Sequence, residues 1–192
     1  MAILTRSLTR VVSCGLLAAL VATNATRTAL AQNASAASLK AAFLVNFAKF
    51  VEWPAEAASA EGTITFCVSG DPRVADALDL LASGHPLGVR GMRVLRPKID
   101  GPLRDCHILF VQGVDIKDAL DLLQQLKGST VFTVSDDERF TALGAVANFF
   151  IEGTRMRFAI NLQSAQRARV QLSSRLLVLA KIVKDAPNAI QH

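Results

Sequence analysis

Thr63-Ile-Thr-Phe-Cys-Val-Ser-Gly-Asp-Pro72 reads as a strand that runs into a turn and then a helix. Apolar and β-branched residues fill Thr63 to Ser69 with little alternation, as expected of a strand covered on both faces. Gly70 and Asp71 punctuate it, and helical spacing follows from Pro72 to Leu81. The pattern recurs downstream. Met92 to Leu95, His107 to Val111 and Thr130 to Val134 are apolar strands, and Asp115 to Leu126 is helical. Strands alternating with helices at this spacing imply right-handed crossovers and a mostly parallel sheet. The fold class is therefore α/β in three layers, with about six strands and helices on both faces.

After Ser135 the character changes. Val146 to Ile151 and Arg155 to Asn161 are strands separated only by Glu152-Gly-Thr154, an antiparallel hairpin with glycine at its turn. In the second strand Arg155, Arg157, Ala159 and Asn161 alternate with Met156, Phe158, Ile160 and Leu162, so one face should be buried and the other wet. A helix from about Ser164 to Lys184, with Leu172, Leu176, Leu179 and Val183 as its packing stripe, is expected to close the chain.

Upstream, a helix begins at about Leu39 and runs to Glu52, where Trp53-Pro54 ends it. It is apolar almost all round, and Asn46, Lys49 and Glu52 form its narrow polar stripe. Such a helix is buried on most sides, by its own domain or by a partner. Residues 1–31 have Arg6 and Arg10, an apolar run from Val11 to Ala22, and a small-x-small end at Ala29-Leu-Ala31, the three parts of a secretory signal peptide. The apolar run falls well short of the roughly 20 residues that span a bilayer. Val11-Val-Ser-Cys14 is a loose lipobox, but its apolar region follows the cysteine instead of ending at it. The expected organisation is a leader over 1–31 cleaved near Ala31, a disordered lead-in over 32–38, a single domain over 39–186 and a flexible tail over 187–192. The expected location is outside the cytoplasm.

Cleavage changes the arithmetic. Of 21 Lys and Arg the leader takes three, leaving 18 against 16 acids, a net +2 in place of +5. That balance gives no electrostatic case for nucleic acid. Of three cysteines, Cys67 and Cys106 remain in an oxidising compartment, where they are read as a disulfide or as two buried thiols.

Chemistry-bearing motifs are few. There is no hydrolase elbow, Walker loop or dinucleotide fingerprint. Ser69-Gly70-Asp71 is a strand-to-helix turn that either caps the helix or cradles a ligand anion. Ser135-Asp-Asp-Glu138 is either a carboxylate cluster for metal or acid/base work, or a capping box or solvated turn. His85, His107 and His192 are too scattered for a zinc site, and no cofactor is implied. Trp53, Glu152, Arg155, Arg157, Arg167 and Arg169 are candidates for a partner surface, against core packing for Trp53 and a solvated face for the arginines.

Lys40-Ala-Ala-Phe-Leu-Val-Asn-Phe-Ala-Lys-Phe-Val-Glu-Trp-Pro54 resembles the opening helix of the YfiR-like family of periplasmic proteins. Thr65 to Gly70, Cys106 to Gly113, Val131 to Asp136, Asn148 to Gly153, Arg157 to Leu162 and Leu172 to Leu177 extend the resemblance over nearly the whole mature chain. It implies a non-enzymatic regulator that represses an inner-membrane diguanylate cyclase by binding its periplasmic sensor region. It also implies a disulfide at Cys67 and Cys106. A second disulfide that some members carry around the equivalent of Thr141 to Asn148 has no cysteines here. A sensor kinase, an outer-membrane lipoprotein or a second copy of the chain are the other partners implied. A periplasmic small-ligand sensor, using the strand ends near Ser69-Gly70-Asp71 and Gln112-Gly113, is the competing reading.

Overall fold

The computed structural model describes residues 35–57, 62–84, 87 and 91–185; the segments expected to be a leader and a tail lie outside them. Helix α1 covers 35–50 and starts four residues before Leu39, inside the stretch expected to be disordered. Ala37, Ala41, Leu44, Val45, Phe47 and Ala48 are all buried, at the spacing of one broad helical face. Asn46, Lys49 and Glu52 are exposed, as the polar stripe requires. Phe47 lies 5.1 Å from Phe158 and 5.3 Å from Phe132 between ring centroids, so α1 is a core helix of its own domain.

The helix stops before Pro54. Val51–Glu52 forms strand β1, a 3₁₀ turn follows at Ala55–Ala57, and the main sheet begins with β2 at Ile64–Ser69. Then come α2 (Pro72–Ser83), β3 (Met92–Leu95), β4 (Ile108–Val111), α3 (Ile116–Gln125), β5 (Phe132–Ser135), α4 (Arg139–Ala142), β6 (Ala147–Glu152) and β7 (Arg155–Asn161). Seven strands order as β3-β2-β4-β5-β6-β7-β9, where β9 is Lys181–Val183. All neighbours are parallel except the β6–β7 hairpin. The α/β reading holds, with one more strand than expected.

Side-chain alternation along the strands makes the three layers. Ile64, Phe66, Val68, Ile108, Phe110, Phe132 and Val134 join α1 and α2 in one core. Cys67, Leu109 and Val111 face the other way and pack with Ala119 and Leu122 of α3 and Phe140 of α4.

The chain end departs from its reading. In place of one helix over 164–184 there are α5 (Leu162–Arg167), β8 (Gln171–Leu172), α6 (Ser174–Leu179) and β9. Arg169 takes the left-handed conformation, φ 55°, which breaks the helix. The released segment pairs with β1 as Val51↔Leu172, and Ser173 caps α6 through Leu176 N–H. Of the expected stripe only Leu176 is buried; Leu179 is 60% exposed. The wet face of β7 is likewise limited to its first residues, because Ala159 and Asn161 are buried and the Asn161 side chain donates to Thr141 O and to the Asp185 carboxylate.

Candidate functional site

Cys67 and Cys106 form a disulfide with Cα atoms 5.8 Å apart. It ties β2 to the residue leading into β4, its parallel neighbour, and so closes the seam through which the chain crosses the sheet. Both cysteines are buried in the α3-side core. Next to them His107 accepts the Thr65 N–H at Nδ1 (3.1 Å), which leaves Nε2–H to donate to Ala57 O at 2.9 Å. Trp53 stands edge-on to the His107 ring at 5.4 Å and donates to Thr130 O at 3.1 Å. Trp53 is thus half-buried packing at the amino ends of β4 and β5, with its polar handle satisfied.

The carboxyl ends of the strands carry the expected turn. Gly70 has φ 108°, and a Cβ there would lie 2.1 Å from Gln112 O, so only glycine lets the β2 and β4 loops close on each other. Asp71 caps α2 by accepting Arg73 N–H at 3.0 Å, and it also holds the Arg73 side chain at 2.9 and 3.0 Å. Hydrogen bonds from Arg73 outweigh burial and hold the Asp71 carboxyl below its ordinary range. A carboxylate of the chain itself therefore occupies the helix N-terminus where an external anion would sit.

Beside it, Lys40 of α1 is 8% exposed, pairs with Asp136 at 2.7 Å and lies 5.5 Å from the Phe110 ring centroid. Gln112 Nε2 donates to the same Asp136 oxygen at 2.7 Å, while its buried Oε1 has no partner. Ser135-Asp-Asp-Glu138 is not a capping box: Ser135 Oγ accepts Asp137 N–H, Asp137 accepts Arg139 N–H, and Glu138 caps with no side-chain bond. Hydrogen bonds from Arg139 depress the Asp137 carboxyl. Among the described residues no group of three or more His, Cys, Asp or Glu could hold a metal ion.

The six candidate partner residues are not gathered into one surface. Glu152, Arg155 and Arg157 share the hairpin tip, where Arg157 pairs with Glu152 at 3.2 Å. Arg169 pairs with Glu56 at 2.8 Å, and Arg167 with Asp185 at 2.8 Å. Burial would raise the Asp185 carboxyl, but bonds from Arg167 and Asn161 prevail and lower it. A different patch emerges at the outer edge of the sheet. Val178 (85% exposed), Leu179 and Ile182 face water on α6 and β9, beside exposed Arg175, Lys181 and Lys184. Sequence reading missed it because helical periodicity assigned Leu179 to the interior.

These features define a disulfide-stapled α/β domain with exposed apolar residues beside cations at one edge of its sheet. No helix among the described residues is long and apolar enough to cross a membrane. The chain belongs to the YfiR/HmsC-like family, whose model matches residues 37–181. Among solved structures it aligns with a conserved domain protein from Vibrio cholerae O1 biovar El Tor str. N16961 at 12% identity and a TM-score of 0.47. The alignment covers 62% of this chain and 54% of that one, so the chain spans about half the length of that structure.

Proposed function

We propose that this chain is an exported, non-enzymatic regulator that works in the periplasm by binding the sensor region of a membrane-bound signalling enzyme, with a diguanylate cyclase as the target. The observation that carries the reading is the sheet edge at Val178, Leu179 and Ile182. Exposed apolar side chains close along the chain and flanked by exposed cations are a feature of protein-binding surfaces. Membership of the YfiR/HmsC-like family supports the regulatory role, and the Cys67–Cys106 disulfide suits an oxidising compartment. Binding one sensor conformation better than another by a few kcal/mol is enough to hold output low.

Deleting the gene is expected to raise cellular cyclic di-GMP. The wild-type protein restores the low level, and Val178→Asp, which replaces a side chain with no packing role, restores it poorly. Unchanged cyclic di-GMP in the deletion strain would sink the cyclase reading.

A further inference from the structure

On the α3 side of the sheet lies a cavity of about 290 Å³. Its walls are apolar, formed by Leu120, Leu123 and Leu126 of the α3 segment, Val131 before β5, and Leu143 and Val146 before β6. Arg167 and Lys127 are the charged residues that line it, both exposed, and no carboxylate does. The volume is just under the usual range of small-molecule sites, about 300–1,000 Å³, which suits one compact molecule. A largely apolar cavity whose charged lining residues are both cations matches an amphipathic anion.

Arg167 gives that anion an address. Its guanidinium lies beside Gly144, whose added Cβ would be 3.4 Å from Nη2, and Gly144 itself lines the cavity. Both terminal nitrogens already hold a carboxylate, that of Asp185, and Nη2 also donates to Ser164 Oγ at 2.7 Å. Asp185 stands two residues past the end of the β9 strand and also accepts from Asn161. We infer that the cavity binds a small apolar carboxylate, its hydrocarbon body among the leucines and its carboxylate on Arg167 in exchange for Asp185. Binding would then loosen the tether on the end of β9, next to the exposed edge. The cavity stands on its own geometry, whatever partner the edge recognises. It lies toward the amino ends of β5 and β6, unlike the carboxyl-end turn that the sequence suggested.

The test titrates the full chain with octanoate and 3-phenylpropanoate, against octylamine and 3-phenylpropylamine, by calorimetry and thermal shift. The carboxylates should bind and raise Tm by mass action, and the amines should not. Methyl NMR shifts should concentrate on Leu123, Leu143 and Val146. Arg167→Gln should weaken carboxylate binding by about tenfold or more, the worth of a charge-assisted hydrogen bond. Ala168→Met, which extends a lining residue into the space, should abolish it with the circular dichroism spectrum unchanged. Asp185→Asn should tighten binding several-fold, a gain that a merely structural role for Arg167 would not give. Equal binding of amines, no binding of either class, shifts mapping elsewhere, or undiminished affinity in folded Ala168→Met would overturn the inference.

Discussion

Gly70 and Gly113 both have positive φ and flank the same junction between the β2 and β4 loops, yet they should respond differently to substitution. Gly113 has nothing within 4 Å of a built Cβ, so Gly113→Ala pays only the left-handed backbone term, about 1–2 kcal/mol. Gly70→Ala adds a clash with the Gln112 backbone, which must move, and is expected to cost roughly 3 kcal/mol or more. Urea denaturation of the two variants compares them directly; equal losses would mean that the loops part easily. The carboxylates give a second residue-scale prediction. Asp71, Asp137 and Asp185 all titrate below the ordinary 3.8, so each favours the folded state fully above that value, and the advantage is lost as pH falls through the lower folded pKa. The urea midpoint should therefore be flat above about pH 5 and fall below about pH 4. Arg73→Met, which removes the largest influence on Asp71, should make that fall shallower.

At the scale of elements, the disulfide closes a separation of 39 residues between β2 and the start of β4. Replacing both cysteines by alanine, or reducing them, is expected to cost about 4 kcal/mol by chain entropy. A drop in stability on adding dithiothreitol to the wild type, absent from the double variant, checks it. The elements that the disulfide joins were readable because their signals are local: a run such as Ile108–Val111 is apolar on both faces, and Asp115 and Asp71 mark helix starts. The hairpin was readable for the same reason, since Gly153 supplies the positive φ at its turn. The segment after Ser164 was not. Gln, Arg, Ala and Leu favour helix locally, but Leu172 pairs with Val51 and Ile182 with Ile160, contacts that no window of sequence contains. An arginine at φ 55° gives no warning of the break. The same limit hid the cavity. Its walls come from α3, the approaches to β5 and β6, and α5, and only the fold brings them together.

For the whole molecule, the question is what the sheet edge can accept. The described residues put β9 at the end of the sheet, with its outer side unpaired and Val178, Leu179 and Ile182 exposed alongside. Open edges are templates for added strands, and proteins commonly guard them with outward lysines. Here Lys181 lies 5.3 Å from the Phe150 ring centroid, folded over the sheet face, which weakens that guard. The neighbouring Arg175, Lys181 and Lys184 are all cations and form no ion pair with a described carboxylate, so a second copy docking across a two-fold axis here would set like charges against each other. An apolar segment with acidic flanks meets no such penalty. The expectation is that the protein sediments without self-association through this edge at about 50 mM salt, where such repulsion is least screened. Capture of the membrane sensor proposed as its target should weaken as salt rises, and weaken further in Lys181→Glu. A low-salt dimer that Val178→Asp dissociates would reverse the argument and make the edge a self-association surface. In that case the regulator's partner would have to bind elsewhere, with the hairpin tip at Glu152, Arg155 and Arg157 the next surface to mutate.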